Sequence, residues 1–166
     1  MKQQPSAIVP VKPDATTTAI TKAQWCAIEA ELKNRAYASI EFKLPGGELI
    51  SVVKQFIAEN RLGLVVGIDG KYKAIWGYPR FGEFLPLVKS IWCRKTHKPG
   101  AKAIRRISAI KGGKTFLKRK ENAHLHEVVE YWVPYFNTAR ALITQFKKIE
   151  GIQLITELAI PEASHD

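Results

Sequence analysis

The sequence predicts an α+β fold. Its expected parts are an antiparallel sheet of about four to five strands, made from a meander over 38–76 plus a C-terminal strand, an N-terminal helix, a basic helix over 101–111 and a late helix over 138–149. Three observations lead there. Apolar residues recur at helical spacing behind Thr21, apolar and polar residues alternate from Ala38 onward, and Asp69-Gly70 places a two-residue hairpin signal between β-type runs. At 166 residues, 46% of them apolar, the chain has material for one domain with a true core.

The elements follow in order. Spaced prolines at 5, 10 and 13 break helix and strand alike, so residues 1–20 read as a flexible arm. Thr21 and Gln24 have capping-box spacing, and Trp25, Ile28 and Leu32 then form one apolar stripe, which predicts a helix over 22–35. Ala38, Ile40, Phe42 and Leu44 alternate with Ser39, Glu41 and Lys43, as a half-buried strand requires. Pro45-Gly46-Gly47 turns the chain into further β runs at 48–57 and 62–68, and Asp69-Gly70 turns it again into an expected return strand over 71–76.

Residues 77–82 read as a loop, and 84–93 as either a strand or a short helix. A break is expected at 96–100. In the helix that follows, Lys102, Arg105 and Arg106 share one arc at about 100° per residue, opposite Ala103, Ile104, Ile107 and Ile110, and Gly112-Gly113 ends it. Residues 114–126 carry little periodicity. Asn137 or Thr138 caps the late helix, Ala141, Leu142, Ile143 and Phe146 are its apolar positions, Gly151 stops it, and Ile152, Leu154 and Ile155 begin the closing strand. One globular domain over 21–158 is therefore expected, with a loose tail over 159–166.

Charge is the informative part of the composition. The net charge is +11, yet the stretch from Lys89 to Lys120 holds twelve basic residues and no Asp or Glu, so the rest of the chain sums to −1. Charge needed only for solubility can be scattered in mixed sign; concentration in one segment points to a polyanionic partner. Apolar runs such as Leu64-Val65-Val66 fall far short of the roughly 20 residues of a membrane-spanning helix, so no membrane partner is expected. The N-terminus leads into no apolar stretch of signal-peptide length, which favours the cytosol. Cys26 and Cys93 are too few for a disulfide framework and, in a reducing compartment, are expected as buried thiols.

Four stretches taken together carry a resemblance. They are Thr21-Lys22-Ala23-Gln24-Trp25, Ile68-Asp69-Gly70-Lys71 through Ala74-Ile75-Trp76, Tyr131-Trp132-Val133-Pro134-Tyr135-Phe136, and Gly151-Ile152-Gln153-Leu154-Ile155. Their order, over residues 21–155, resembles a family of small hypothetical proteins of bacteriophages and prophages, with a Lys/Arg-rich middle between the second and third. The resemblance implies a mobile-element origin and a bacterial host cytosol. That family has no established activity, so it assigns no catalytic residue here, and the Pro- and Thr-rich arm departs from its pattern.

Candidate chemistry is sparse. Cys93, His97, His124 and His126 would be a zinc quartet by residue type, but Cys93 sits in an apolar run and neither pair has knuckle spacing, so no metal and no cofactor is expected. Gly113-Lys114-Thr115 imitates the end of a phosphate loop but has Ser108 where the first glycine belongs. The expected nucleic-acid-binding residues are Arg94, Lys95, Lys98, Lys102, Arg105, Arg106, Lys111, Lys114, Lys118, Arg119 and Lys120. Tyr78, Arg80 and Phe81, held in a loop by glycines and a proline, are expected to stack bases or anchor a partner, while Trp76 and Phe84 are expected in the core. The sequence thus predicts a non-enzymatic accessory protein that holds DNA or RNA by its phosphates. A second reading is an inhibitor or modulator of a host protein or ribonucleoprotein complex, and a third is a zinc-dependent hydrolase using the Cys93, His97, His124 and His126 quartet.

Overall fold

The computed structural model describes residues 19–158, so the expected arm up to residue 18 and the tail from 159 lie outside the described residues. The chain opens with helix α1 (Lys22–Asn34), started by the expected capping box: the Thr21 hydroxyl accepts from the Gln24 amide, and the Gln24 side chain accepts in return from the Thr21 amide. Its buried stripe is Trp25, Ile28 and Leu32; Cys26, expected as a buried thiol, falls off that stripe and is exposed, while Cys93 is half-buried. Near its C-terminus Arg35 bonds Glu31, and that hydrogen bond and charge raise the guanidinium pKa above its ordinary value.

Strands β1 (Ser39–Lys43), β2 (Leu49–Ala58) and β3 (Arg61–Ile68) make the expected antiparallel meander. Registration of Ile40 with Val52 and Val52 with Val66, and of Phe42 with Ile50 and Ile50 with Ile68, aligns the apolar sets of all three on one face. Asp69 (φ +49°) and Gly70 (φ +74°) form a left-handed two-residue turn, which aspartate tolerates and glycine adopts freely. Asp69 also ties the turn to β2, its carboxylate accepting from the Leu49 amide.

The expected return strand over 71–76 does not form. Only Lys71 pairs back, with Ile68, before the chain enters a 3-10 turn at Ala74–Gly77. The edge of β3 that such a strand would fill is occupied from the distant β6 (Tyr135–Phe136): Pro134 accepts from the Val66 amide, and Tyr135 and Phe136 pair with Val65 and Leu64. Residues 84–93 resolve into a short helix α2 (Val88–Ile91) running into β4 (Cys93–His97), so Thr96 and His97 lie in a strand where a break was expected.

Then come α3 (Ala101–Ser108), α4 (Gly113–Leu117), a 3-10 turn at Lys120–His126 and β5 (Val129–Val133), which pairs with β4 as a separate two-stranded ribbon. The last helix, α5 (Ala139–Phe146), is capped by Thr138, whose hydroxyl accepts from the Ala141 amide. It ends at Phe146, short of the expected 149, and β7 (Gln153–Leu154) closes the sheet against β1. The five-stranded order is β6-β3-β2-β1-β7, every pairing antiparallel.

α1 and α5 cover the apolar face. Phe42 sits at the middle of the core, stacked on Trp25 at 6.1 Å and edge-on to Phe146 at 5.2 Å. Trp92 roots the ribbon in this body: it is fully buried, stacks on Trp76 at 6.3 Å, and donates its indole N–H to the Val66 carbonyl. Gln145 of α5 grips the same point by donating to the Trp92 and Ser90 carbonyls. Gly77 packs so closely on the ribbon that a Cβ there would lie 1.8 Å from the Trp132 carbonyl oxygen. No helix among the described residues is long and apolar enough to cross a membrane.

Candidate nucleic-acid interface

The basic segment is the connection between the two ribbon strands. β4 carries Arg94 and Lys95, and β5 returns antiparallel with His97 facing Val129 across the ribbon. Between those two ends the chain folds into a small helical cap, α3, α4 and the second 3-10 turn packed on one another. The cap has its own thin interior: Leu117 and Gly113 are buried, with Ala103, Ile104, Ile107 and Leu125 half-buried. Asn122, the one buried polar residue of the described chain, donates its amide to the Phe116 carbonyl.

Two glycines allow this interior to close. A Cβ on Gly113 would lie 1.7 Å from the Ile107 carbonyl oxygen, and one on Gly100 would lie 2.0 Å from that of Leu125. Helices with so few large side chains approach at backbone distance, where only glycine fits.

The amphipathic reading of α3 holds over its observed length. Lys102, Arg105 and Arg106 are exposed, and Ala103, Ile104 and Ile107 face the cap interior. Ile110, expected among the apolar positions, is 66% exposed, because α3 ends at Ser108 and the following turn carries it outward. Lys111, Lys114, Lys118, Arg119 and Lys120 are exposed, as is Lys98 at the cap entrance, while Lys95 is half-buried on the ribbon. Among the described residues no carboxylate comes within 4 Å of any of these cations. Arg119 lies over the Phe116 ring at 5.9 Å.

Arg94 is different. Glu130, two positions along β5 from Arg94's cross-strand neighbour Trp132, pairs with it, so Arg94 is the one member of the expected phosphate-binding set with an acidic partner among the described residues. Arg80 likewise pairs with Glu127, at the end of the cap's last turn. Both pairs are largely exposed, so each contributes about 0–1 kcal/mol to stability. Their local consequence is that the two ribbon-side carboxylates are neutralised by arginines while the cap keeps its positive charge.

The loop residues divide. Tyr78 is half-buried, its ring parallel to Tyr131 at 5.1 Å and 6°. Phe81 meets Tyr78 edge-on at 6.0 Å and is 54% exposed. Tyr131 was missing from the sequence-based set, since only the ribbon pairing, 53 positions beyond Tyr78, brings it there. Trp76 and Phe84 are half-buried and packed on the core, as expected.

The soft-ligand residues do not assemble. Among the described residues no three of His, Cys, Asp and Glu are placed to hold a metal ion. Instead, His126 and His124 each set a ring nitrogen 3.1 Å from a backbone carbonyl oxygen, of Leu117 and Glu121 respectively. Gly113-Lys114-Thr115 opens the five-residue helix α4 with no strand leading into it, unlike a phosphate loop.

Against this geometry, comparison of the chain with protein-family models, curated proteins and solved structures finds no match.

Proposed function

We propose that this chain is a non-enzymatic accessory protein of a phage or related mobile element, working in the cytosol of a bacterial host, that binds nucleic acid mainly through phosphate contacts from its cap. The observation that carries this reading is the run of solvent-facing cations from Lys98 through α3 to Lys120 with no carboxylate paired to them among the described residues. Uncompensated cations on a projecting element gain by releasing counterions from a phosphate backbone, and each contact adds about 0.9 to the log–log salt slope. Backbone-dominated contacts of this kind position a protein without reading sequence.

The test is the double variant Arg105→Ala/Arg106→Ala, exposed positions whose loss leaves the cap interior intact. Binding to DNA or RNA oligonucleotides, followed by anisotropy over a salt series, should weaken, and the slope should flatten by about 2. An unchanged slope would remove α3 from the interface.

A second reading has its own support. Ile110, Phe116 and Val128 expose apolar surface in or beside the cap, a composition suited to protein contact, and a host protein or ribonucleoprotein complex would be its target. Capture of a salt-insensitive partner from nuclease-treated host lysate, with no affinity for free oligonucleotides, favours that reading.

A further inference from the structure

Resting on the nucleic-acid reading and deepening it, we propose that the bound form is a single strand, its unpaired bases seated on an aromatic platform of Phe81, Tyr78 and Tyr131 at the root of the cap. The ribbon register sets Lys95 directly across from Tyr131, and cross-strand partners share a face, so a cation and the platform stand side by side. Tyr131 and Tyr78 form one flat stack, and Phe81 extends it edge-on into solvent. The Arg80–Glu127 pair ties this loop to the last turn of the cap, so the platform adjoins the cationic surface. Beside it opens a cleft of about 350 Å3 with Phe56, Tyr72, Tyr78 and Tyr135 in its wall, within the usual size of small-ligand sites and aromatic enough to receive an extruded base.

Cations hold the phosphates of either form, but paired bases are already stacked on each other and have no free face for a side chain. Exposed rings therefore add affinity only for unpaired bases, and the combination of a positive track with aromatic seats is the physical pattern of single-strand binding.

The experiment uses the full chain with four labelled 20-nucleotide probes of one mixed sequence, DNA and RNA, each as single strand and as duplex. The parent protein should prefer a single strand by about tenfold, and Phe81→Ala should reduce single-strand affinity by about tenfold while leaving duplex affinity unchanged. Phe81→Leu, which keeps apolar bulk without a ring, should behave alike and guards against a folding defect. A 2-aminopurine in the strand should lose emission on binding the parent and regain it with either variant. Equal affinity for both forms, or a strand preference that survives both ring-less variants, overturns the platform while a steep salt dependence keeps the phosphate reading. No salt-dependent affinity for any of the four probes overturns both.

Discussion

At the scale of single residues, the sequence shows which side chains are charged or aromatic but not which of them meet. Arg94 has no acid within ten positions in sequence and Arg80 only Glu83, which pairs with Lys73; their actual partners Glu130 and Glu127 lie 36 and 47 positions away and arrive only when β5 pairs. Tyr131 escaped notice for the same reason. Glycine is the opposite case: Gly100 looks like an ordinary turn residue, but its missing side chain is what lets Leu125 approach. Gly100→Ala would place a methyl group inside van der Waals contact of a carbonyl oxygen, costing about 1–3 kcal/mol as overpacking does. Amide exchange should speed up across 101–126 while Ile40, Val52 and Val66 keep their protection; uniform loss of protection would show that the cap is not a separate unit.

At the scale of elements, local patterns were legible wherever the contacts that decide them are local. The capping box, the alternation of β1 and the Thr138 cap all involve residues within a few positions of each other. Thr138→Ala removes a hydroxyl that holds the Ala141 amide and should cost about 1 kcal/mol, read as a melting temperature lower by about 2–4 °C. A shift below half a degree would mean that water replaces the cap without loss. The strand expected at 71–76 failed because strand identity depends on an open sheet edge, and β6 holds that edge. β4 and β5 were unreadable because neither alternates cleanly: β4 is Cys-Arg-Lys-Thr-His, and a ribbon lying on the body need not separate polar from apolar faces as a sheet over a core does.

At the scale of the whole molecule, the partition of charge was legible and its shape was not. A near-neutral sheet domain and a basic insert were visible in the residue counts; that the insert is a cap with its own interior, slung between two paired strands, required the fold. Because His97 and Val129 are already neighbours, replacing 99–126 by a short Gly/Ser connection should leave a folded sheet domain. The excised stretch holds eight basic residues and one acid, so net charge falls from +11 to +4, and salt-dependent binding to oligonucleotides should fall steeply, to what Lys95, Lys98 and the ribbon-side rings can hold, while the far-ultraviolet dichroism of the strands persists. Undiminished binding would move the interface onto the sheet domain.

The Trp76–Trp92 stack has a practical consequence. Of the four indoles in the chain, three, at 76, 92 and 132, gather where the ribbon meets the body, and the fourth, Trp25, lies apart beneath α1. The molecule thus carries an optical gauge at its joint: cargo pressing on the overhang should perturb the emission of that trio, and replacing Trp25 by Phe would leave a dye-free signal that reports on the joint alone.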